Sequence, residues 1–367
     1  MKKILFVFGT RPEAIKLALL IKELKKNFIV KVCITTQHKK MLTQVLKVFK
    51  IKVDFDLNCM KPNQTLNGIS SLILSKISHV YKAFNPDLTI VQGDTISAFI
   101  GAYSSFLNNI KVAHVEAGLR TLNLKEPFPE EGLRQLISKI AYFHFAPTNK
   151  NKQSLIKEGI KKNIYITGNT SIDTVLKTKN IVKRLFFKKN IKNIFDKKKN
   201  IILVTLHRRE IYGHQLTSIA KSLVEISKEN KNISIIIPIH LNPNIRRIMI
   251  PILSNIKNIH LLEPLDYFQF VKLMSYSKII ITDSGGIQEE APSLNIPVLV
   301  CRKKTERMEA VKSGSNVLVG SNSKKLRFLV KKLLSDKKFY LSMTNIINPY
   351  GDGRSVKNIY KILKKKL

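Results

Sequence analysis

Acidic residues are scarce in this chain of 367 residues: 25 Asp and Glu stand against 64 Lys and Arg, for a formal net charge of +39. Such a balance raises nucleic acid or an anionic membrane as a partner. The excess is mostly Lys spread along the whole length beside Asn and Ile, as in KTKNIVKRLFFKKNIKNIFDKKKN, with no basic arm and no interleaved aromatics. That spread reads as compositional drift, so nucleic acid is not an expected partner, although the field still attracts a polyanionic small substrate. Cysteine is scarce too. Of the three, Cys33 and Cys301 lie in apolar strand-like runs and no CxxC occurs, which excludes a disulfide scaffold and a zinc site and favours a reducing cytoplasm.

Long hydrophobic runs are missing. The longest uncharged span, Thr95 to Ile110, is broken by Gly, Ser and Asn and falls short of the ~20 apolar residues of a membrane crossing. The opening MKKILFVFGTRPEAIK has too short an apolar run for a signal segment and no small-residue cleavage site, so it reads as a first strand. No membrane insertion is expected. Several motifs are absent as well. Without GxxxxGK[ST], without GxGxxG after the first strand and without GxSxG, an ATPase, an ordinary NAD enzyme and an α/β-hydrolase are disfavoured. No HExxH and no Cys and His cluster appears, so no metal is required.

What is present is ample apolar material, 44% of the residues, in a length that suits two domains. Short β-branched runs alternate with amphipathic segments: KILFVF, VKVCITT, LTIVQ, VAHVE, YFHFA and NIYITG, then NIILVT, ISIIIP, NIHLL, KIIIT, PVLVC and NVLVG. Runs with so little internal alternation suit parallel strands covered on both faces. Between them, Ile96, Phe99, Ile100, Tyr103, Phe106, Leu107 and Ile110 recur at helical spacing and predict one apolar stripe. Strand, helix, strand, repeated, predicts a doubly wound α/β fold. The Lys- and Asn-rich stretch from about Lys177 to Asn200 separates the two series.

In IIITDSGGIQEEAPS the strand should end near Thr282, with Asp283 or Ser284 as N-cap and Gly285 and Gly286 opening a helix. Bare backbone at a helix start favours an anion such as a diphosphate, and Glu289 or Glu290 about a turn later could accept ribose hydroxyls. A plain Gly-rich turn with solvated glutamates explains the stretch equally well. FGTRPEAIK repeats the arrangement after the first strand, with Gly9 at the turn, Arg11 beside it and Lys16 roughly one turn along. Asp94 in VQGDT, Glu116 in AHVEAGLRT and Glu130 with Glu131 in PFPEEGLRQ close strands or the loops that follow them. Carboxylates converging at one end of a parallel sheet repel each other, which separates their pKa values into an acid and a base. His207 begins the turn after NIILVT and His240 follows ISIIIP, both at strand ends, whereas His144 packs within a strand.

Taken in order, GTRPEAIKLALL, TTQHKKML, QGDT, HVEAGLRT, PEEGLRQ, ITGNTSID, HRRE, PIHLNPN, LLEPLDYFQFVKLM, TDSGGIQEEAPSLNIPVLV, TERMEAV and NPYGDG resemble the non-hydrolysing UDP-N-acetylglucosamine 2-epimerases over essentially the whole chain. The resemblance implies a GT-B-like α/β fold of two Rossmann-like, doubly wound parallel-sheet domains, residues 1–170 and 171–349, with 350–367 crossing back onto the first and the active site in the cleft between them. It implies interconversion of UDP-N-acetylglucosamine and UDP-N-acetylmannosamine without NAD or metal, by C2 deprotonation, anti elimination of UDP to a 2-acetamidoglucal, and re-addition. By matching position, Asp94, Glu116 and Glu130 would be acid and base groups, supported by Lys16, Arg134 and His207. Arg11, His207, Ser284, Gly285, Gly286 and Glu290 would hold UDP, and Gln37, His38 and His240 would hold a second, activating nucleotide sugar. A cytoplasmic homodimer supplying surface polysaccharide is the implied setting. Alternatives are a GT-B glycosyltransferase and a hydrolysing 2-epimerase. The sequence departs from the family pattern at Gln92 (commonly His), Leu206 (Gly), Met308 (Pro) and Phe128 (Trp).

Overall fold

The structure, a computed structural model, describes residues 1–35, 39–60, 64–187, 191–192 and 200–367. Contacts divide the chain into two compact units, Met1–Thr174 with Tyr350–Leu367, and Val175–Pro349.

The first unit carries β1 (Lys3–Phe8), β2 (Ile29–Ile34), β3 (Phe55–Asp56), β4 (Leu88–Gln92), β5 (Lys111–Val115), β6 (Phe143–Ala146) and β7 (Ile164–Ile166). They form one sheet in the order β3-β2-β1-β4-β5-β6-β7, and the pairings are parallel. Ile4 to Phe8 are wholly buried, which is why β1 is an unbroken apolar run rather than an alternating one. Helices α1 (Arg11–Leu24), α2 (Lys39–Val48), α3 (Leu66–Phe84), α4 (Ile96–Leu107), α5 (Glu130–Ile140) and α6 (Asn149–Lys157) alternate with the strands, and α7 (Thr170–Val182) begins in this unit and ends in the second.

The second unit repeats the plan with β8 (Asn200–Thr205), β9 (Ile233–Pro238), β10 (Ile259–Leu262), β11 (Ile279–Thr282), β12 (Val298–Val300) and β13 (Asn316–Leu318). Its order, β10-β9-β8-β11-β12-β13, is again parallel. Among its helices are α8 (His214–Glu229), α9 (Pro243–Leu253), α10 (Tyr267–Ser275), α11 (Gly285–Glu290), α12 (Met308–Lys312), α13 (Ser323–Ser335) and α14 (Lys337–Thr344). The last helix, α15 (Ser355–Lys366), belongs to the first unit, where Asp173 accepts the amides of Ser355 and Val356 at 3.1 and 3.0 Å.

In each sheet the chain winds outward from a central strand and then returns to its other side, between β1 and β4 in one unit and between β8 and β11 in the other. A crevice opens at the carboxyl ends of such a strand pair. The candidate residues of each unit lie around those ends.

The apolar stripe expected on α4 is only half correct. Ile96 and Ile100 are buried, but Phe106 and Leu107 are 54% and 58% exposed, and the rest of the buried face is Ser97, Ala98, Gly101, Ala102, Ser104 and Ser105. A Cβ on Gly101 would lie 2.8 Å from Val7 Cγ1, so small residues let the helix press onto β1. Hydrophobic periodicity does not register a contact face built from small side chains. Part of the expected boundary stretch is helical, since α7 runs to Val182. Among the described residues, no helix is long and apolar enough to cross a membrane.

Candidate functional site

In the first unit, the turn after β1 is built by close approach. A Cβ on Gly9 would meet Thr35 Oγ1 at 2.2 Å and Ser97 Oγ at 2.3 Å, so only glycine fits. Glu13, 1% exposed, then ties this turn to the one after β4. Its Oε2 accepts the amides of Gly9 and Thr10 at 3.1 and 2.7 Å, and its Oε1 accepts the Thr95 hydroxyl at 2.7 Å. Thr95 in turn caps α4 through the Ala98 amide at 3.0 Å. Burial raises the pKa of Glu13, and these hydrogen bonds oppose the rise. Sequence reasoning missed Glu13, which reads as an ordinary first-turn acid of α1.

The acidic cluster assembles beside this tether. Lys16 of α1 and the side-chain amide of Gln92 both donate to Oε2 of Glu116. Glu116 follows β5 with φ 68°, a left-handed backbone uncommon for glutamate. Arg134 of α5 pairs with Asp94 at 2.5 Å. Burial raises the pKa of Asp94; Arg134 pulls it back, while Glu116 and Glu130 push it further up. Asp94, Glu116, Glu130, Lys16 and Arg134 are thereby brought within electrostatic reach of one another. Oε2 of Glu130 is buried and has no hydrogen-bond partner, as has Nε of Arg134. Glu131 has a different part: wholly buried, it accepts the amides of Thr121 and Leu122 at 2.9 and 3.3 Å and so shapes the preceding loop. Arg11 is half-buried at the start of α1.

His114 and His144 face each other in register on β5 and β6. Burial pushes their pKa values down, to about 3 for His114 and about 4 for His144. Both are neutral in the fold, whereas an unfolded histidine titrates near ~6.5. Between these values the unfolded chain binds more protons, so stability is held above that range and falls as pH drops through it. Urea midpoints are therefore expected to decline from pH 7 to pH 5, and the slope should shrink in His144→Asn; an unchanged slope in that variant contradicts the assignment.

In the second unit, Asp283 is the organising group. It is wholly buried just past β11, and its Oδ2 accepts the amides of His207 and Arg208, both at 2.8 Å. Its Oδ1 lies 3.1 Å from His207 Nδ1. Burial works to raise the pKa of Asp283, but His207 and the two amides outweigh it and hold the carboxylate charged. The imidazole is thereby oriented, with Nε2 as the nitrogen turned away from Asp283. His240 stacks on His207 with ring centroids 5.8 Å apart. Leu206, where the family pattern commonly has Gly, lies in the hydrophobic core, 4% exposed.

Ser284 is the N-cap of α11, with Gly285 and Gly286 in its first turn. A Cβ on Gly285 would lie 2.8 Å from Arg307 Cζ, so the guanidinium packs on the bare glycine, while the space over Gly286 is open. Glu289, expected beside Glu290 as a ribose acceptor, is instead buried and paired with Arg307 at 2.9 Å. Glu290 is half-buried. Three arginines absent from the sequence-based site gather here. Arg302 bonds Glu306 at 2.8 Å and Glu210 at 3.2 Å, Arg208 lies 3.6 Å from Glu210, and Arg307 also bonds Glu306. Burial would raise the pKa of Glu306, but Arg307 and Arg302 together hold it far below the usual carboxylate range. Arg208 and Arg302 each follow a strand end, the one signal that could have found them. Among the described residues no three His, Cys, Asp or Glu gather as metal ligands would. Gln37 and His38 lie outside the described residues.

The model of the UDP-N-acetylglucosamine 2-epimerase family matches residues 22–364. The chain belongs to that family. The UDP-N-acetylglucosamine 2-epimerase of Neisseria meningitidis serogroup A is 46% identical over 99% of both chains, and that of Campylobacter jejuni 48% identical over 99% of this chain and 98% of its own. A crystal structure of the Neisseria meningitidis UDP-GlcNAc 2-epimerase bound to UDP-GlcNAc superposes with TM-score 0.92 at 45% identity, covering 99% of this chain and 100% of that one. The fold of two parallel-sheet domains is thus that of the 2-epimerases. Against the family pattern, Gln92 has become a donor to Glu116, Leu206 a core residue, Met308 the start of α12 and Phe128 an exposed loop residue.

Proposed function

We propose that this protein interconverts UDP-N-acetylglucosamine and UDP-N-acetylmannosamine. One carboxylate of the Asp94, Glu116 and Glu130 group takes the C2 proton, and the C1–O bond breaks so that UDP leaves with the bonding pair. A 2-acetamidoglucal remains. Protonation at C2 on the opposite face and return of UDP to C1 complete the exchange. The observation that carries this reading is the pairing of a raised-pKa carboxylate, Asp94, with Arg134 beside the Lys16 and Glu116 pair. Removing a weakly acidic carbon proton requires a base of that kind close to fixed positive charge. Arg11, His207, Ser284, Gly285, Gly286 and Glu290 are assigned to UDP, with Arg307 added because it packs on Gly285. His207 presents an oriented imidazole to the diphosphate.

Incubation with UDP-N-acetylglucosamine in D2O tests the proposal. Deuterium at C2 of the recovered nucleotide sugar supports it. Acceptor-dependent release of UDP without deuterium means a glycosyltransferase, and accumulation of free N-acetylmannosamine with UDP means a hydrolysing enzyme. The setting we assign is the cytoplasm, with the product feeding surface polysaccharide, and His240 is assigned to a second nucleotide-sugar site.

The same proposal takes the protein to act as a homodimer through the outer face of α4. That helix has no charged residue in a chain of net charge +39, and it exposes Tyr103, Phe106 and Leu107. Two strongly positive chains meet most cheaply where charge is absent. Phe106→Asp is expected to halve the mass seen by light scattering; an unchanged dimer mass, or a wild-type monomer, removes this assignment.

A further inference from the structure

We propose that Gln92 is a positioning residue for proton transfer at Glu116. The inference rests on the epimerase reading above and adds a residue to it.

Glu116 needs to be held. Its left-handed backbone, φ 68°, is one a glutamate keeps only where the surroundings fix it. Two donors converge on one of its oxygens, Oε2: the Lys16 ammonium from α1 and the Gln92 amide from β4. Gln92 is itself anchored. It is 4% exposed, it lies in register with Val115, the residue before Glu116, and the following amide, Gly93 N–H, donates to Val115 O at 3.1 Å.

The two donors differ in kind. Lys16 brings a full charge on a flexible stem, and a departing diphosphate competes for it. Gln92 brings direction without charge and does not ionise, so it holds Oε2 in place at every pH and throughout the turnover. The charged and titratable groups around it are Lys16 on α1, Asp94 on the turn after β4, His114 on β5, and Glu130 and Arg134 on α5. The buried His114, whose Nε2 bonds the Gly93 carbonyl oxygen, stays neutral near neutral pH.

Gln92→Met keeps the length and removes the donor. Its kcat and its C2 deuterium exchange should fall by about 10- to 100-fold, with KM for UDP-N-acetylglucosamine and Kd for UDP within about twofold of wild type. Gln92→His supplies an N–H donor in both protonation states, but its protonation adds a positive charge that makes Glu116 a weaker base: most of the rate should return at pH 8 and fall toward pH 6 by a limb additional to that of wild type. A Met variant with wild-type kcat overturns the proposal, as does a loss shared equally by UDP affinity, which signals general damage. If the Met variant does not fold, the pH profile of the His variant decides, and a profile parallel to wild type refutes the role. Wild-type protein that exchanges no C2 hydrogen sinks the epimerase reading and this one together; normal exchange with silent Gln92 variants sinks this one alone.

Discussion

Asp94→Asn, Glu116→Gln and Glu130→Gln are each expected to cut deuterium exchange at C2 by about 10²- to 10⁴-fold, while UDP binding measured by calorimetry changes little. Each substitution preserves shape and removes the ability to take or give a proton. Asp94 is the most sensitive of the three, because its proton affinity is already raised by burial and by two neighbouring carboxylates. Its amide replacement also leaves Arg134 facing a neutral partner at an ion pair of 2.5 Å. Arg134 keeps Glu131 at 3.4 Å and the Asp94 side chain is 25% exposed, so the loss stays below the about 3–5 kcal/mol of a buried charge left without any partner, and the exchange is measured well below the unfolding temperature. Glu130→Gln should be milder for stability, since its buried Oε2 has no hydrogen bond to lose. Normal exchange in all three variants would show that proton transfer belongs to other groups. A parallel collapse of UDP affinity would show that the carboxylates shape the protein instead.

The second large effect is on folding. Gly118 adopts φ +87°, and a Cβ there would lie 2.2 Å from the Asn151 carbonyl oxygen and 2.8 Å from its carbon. Backbone cannot yield as the end of a flexible side chain can. Gly118→Ala is expected to cost about 4 kcal/mol or more, seen as a large drop in urea midpoint or as loss of soluble protein. Gly93→Ala is the internal control, because Gly93 has φ +70° but no atom within 4 Å of the added Cβ. It should lose only the left-handed penalty of about 1–2 kcal/mol. Equal losses at the two positions would mean that the clash at Asn151 is relieved by local movement.

Much of the scaffold was legible. LTIVQ, NIILVT and ISIIIP are strands to the residue, since a strand buried on both faces announces itself as a continuous apolar run. The two-residue β3 gave no such run, and α4 misled because its buried face is partly Ser, Ala and Gly. The acids at strand ends were legible for a topological reason: parallel strands point their carboxyl ends the same way. Which of those ends adjoin was not, because strand order depends on crossovers that local sequence does not encode. The partners that follow from adjacency were therefore invisible, among them Glu13 with Thr95, Asp283 with His207, and Arg307 with Glu289. The last pair also took Glu289 out of the ribose role that its spacing suggested.

The Glu13 carboxylate has a consequence for anyone transplanting these loops. The six residues GTRPEA look like a portable cassette, yet their shape is shared property: the glycine is walled by Thr35 and Ser97, and the glutamate is clamped by Thr95. Moved alone into another α/β host, the cassette would arrive with a buried anion and one fewer donor to receive it. Chimeras that swap the segment together with residues 95–97 should keep the turn, and those that swap it alone should not.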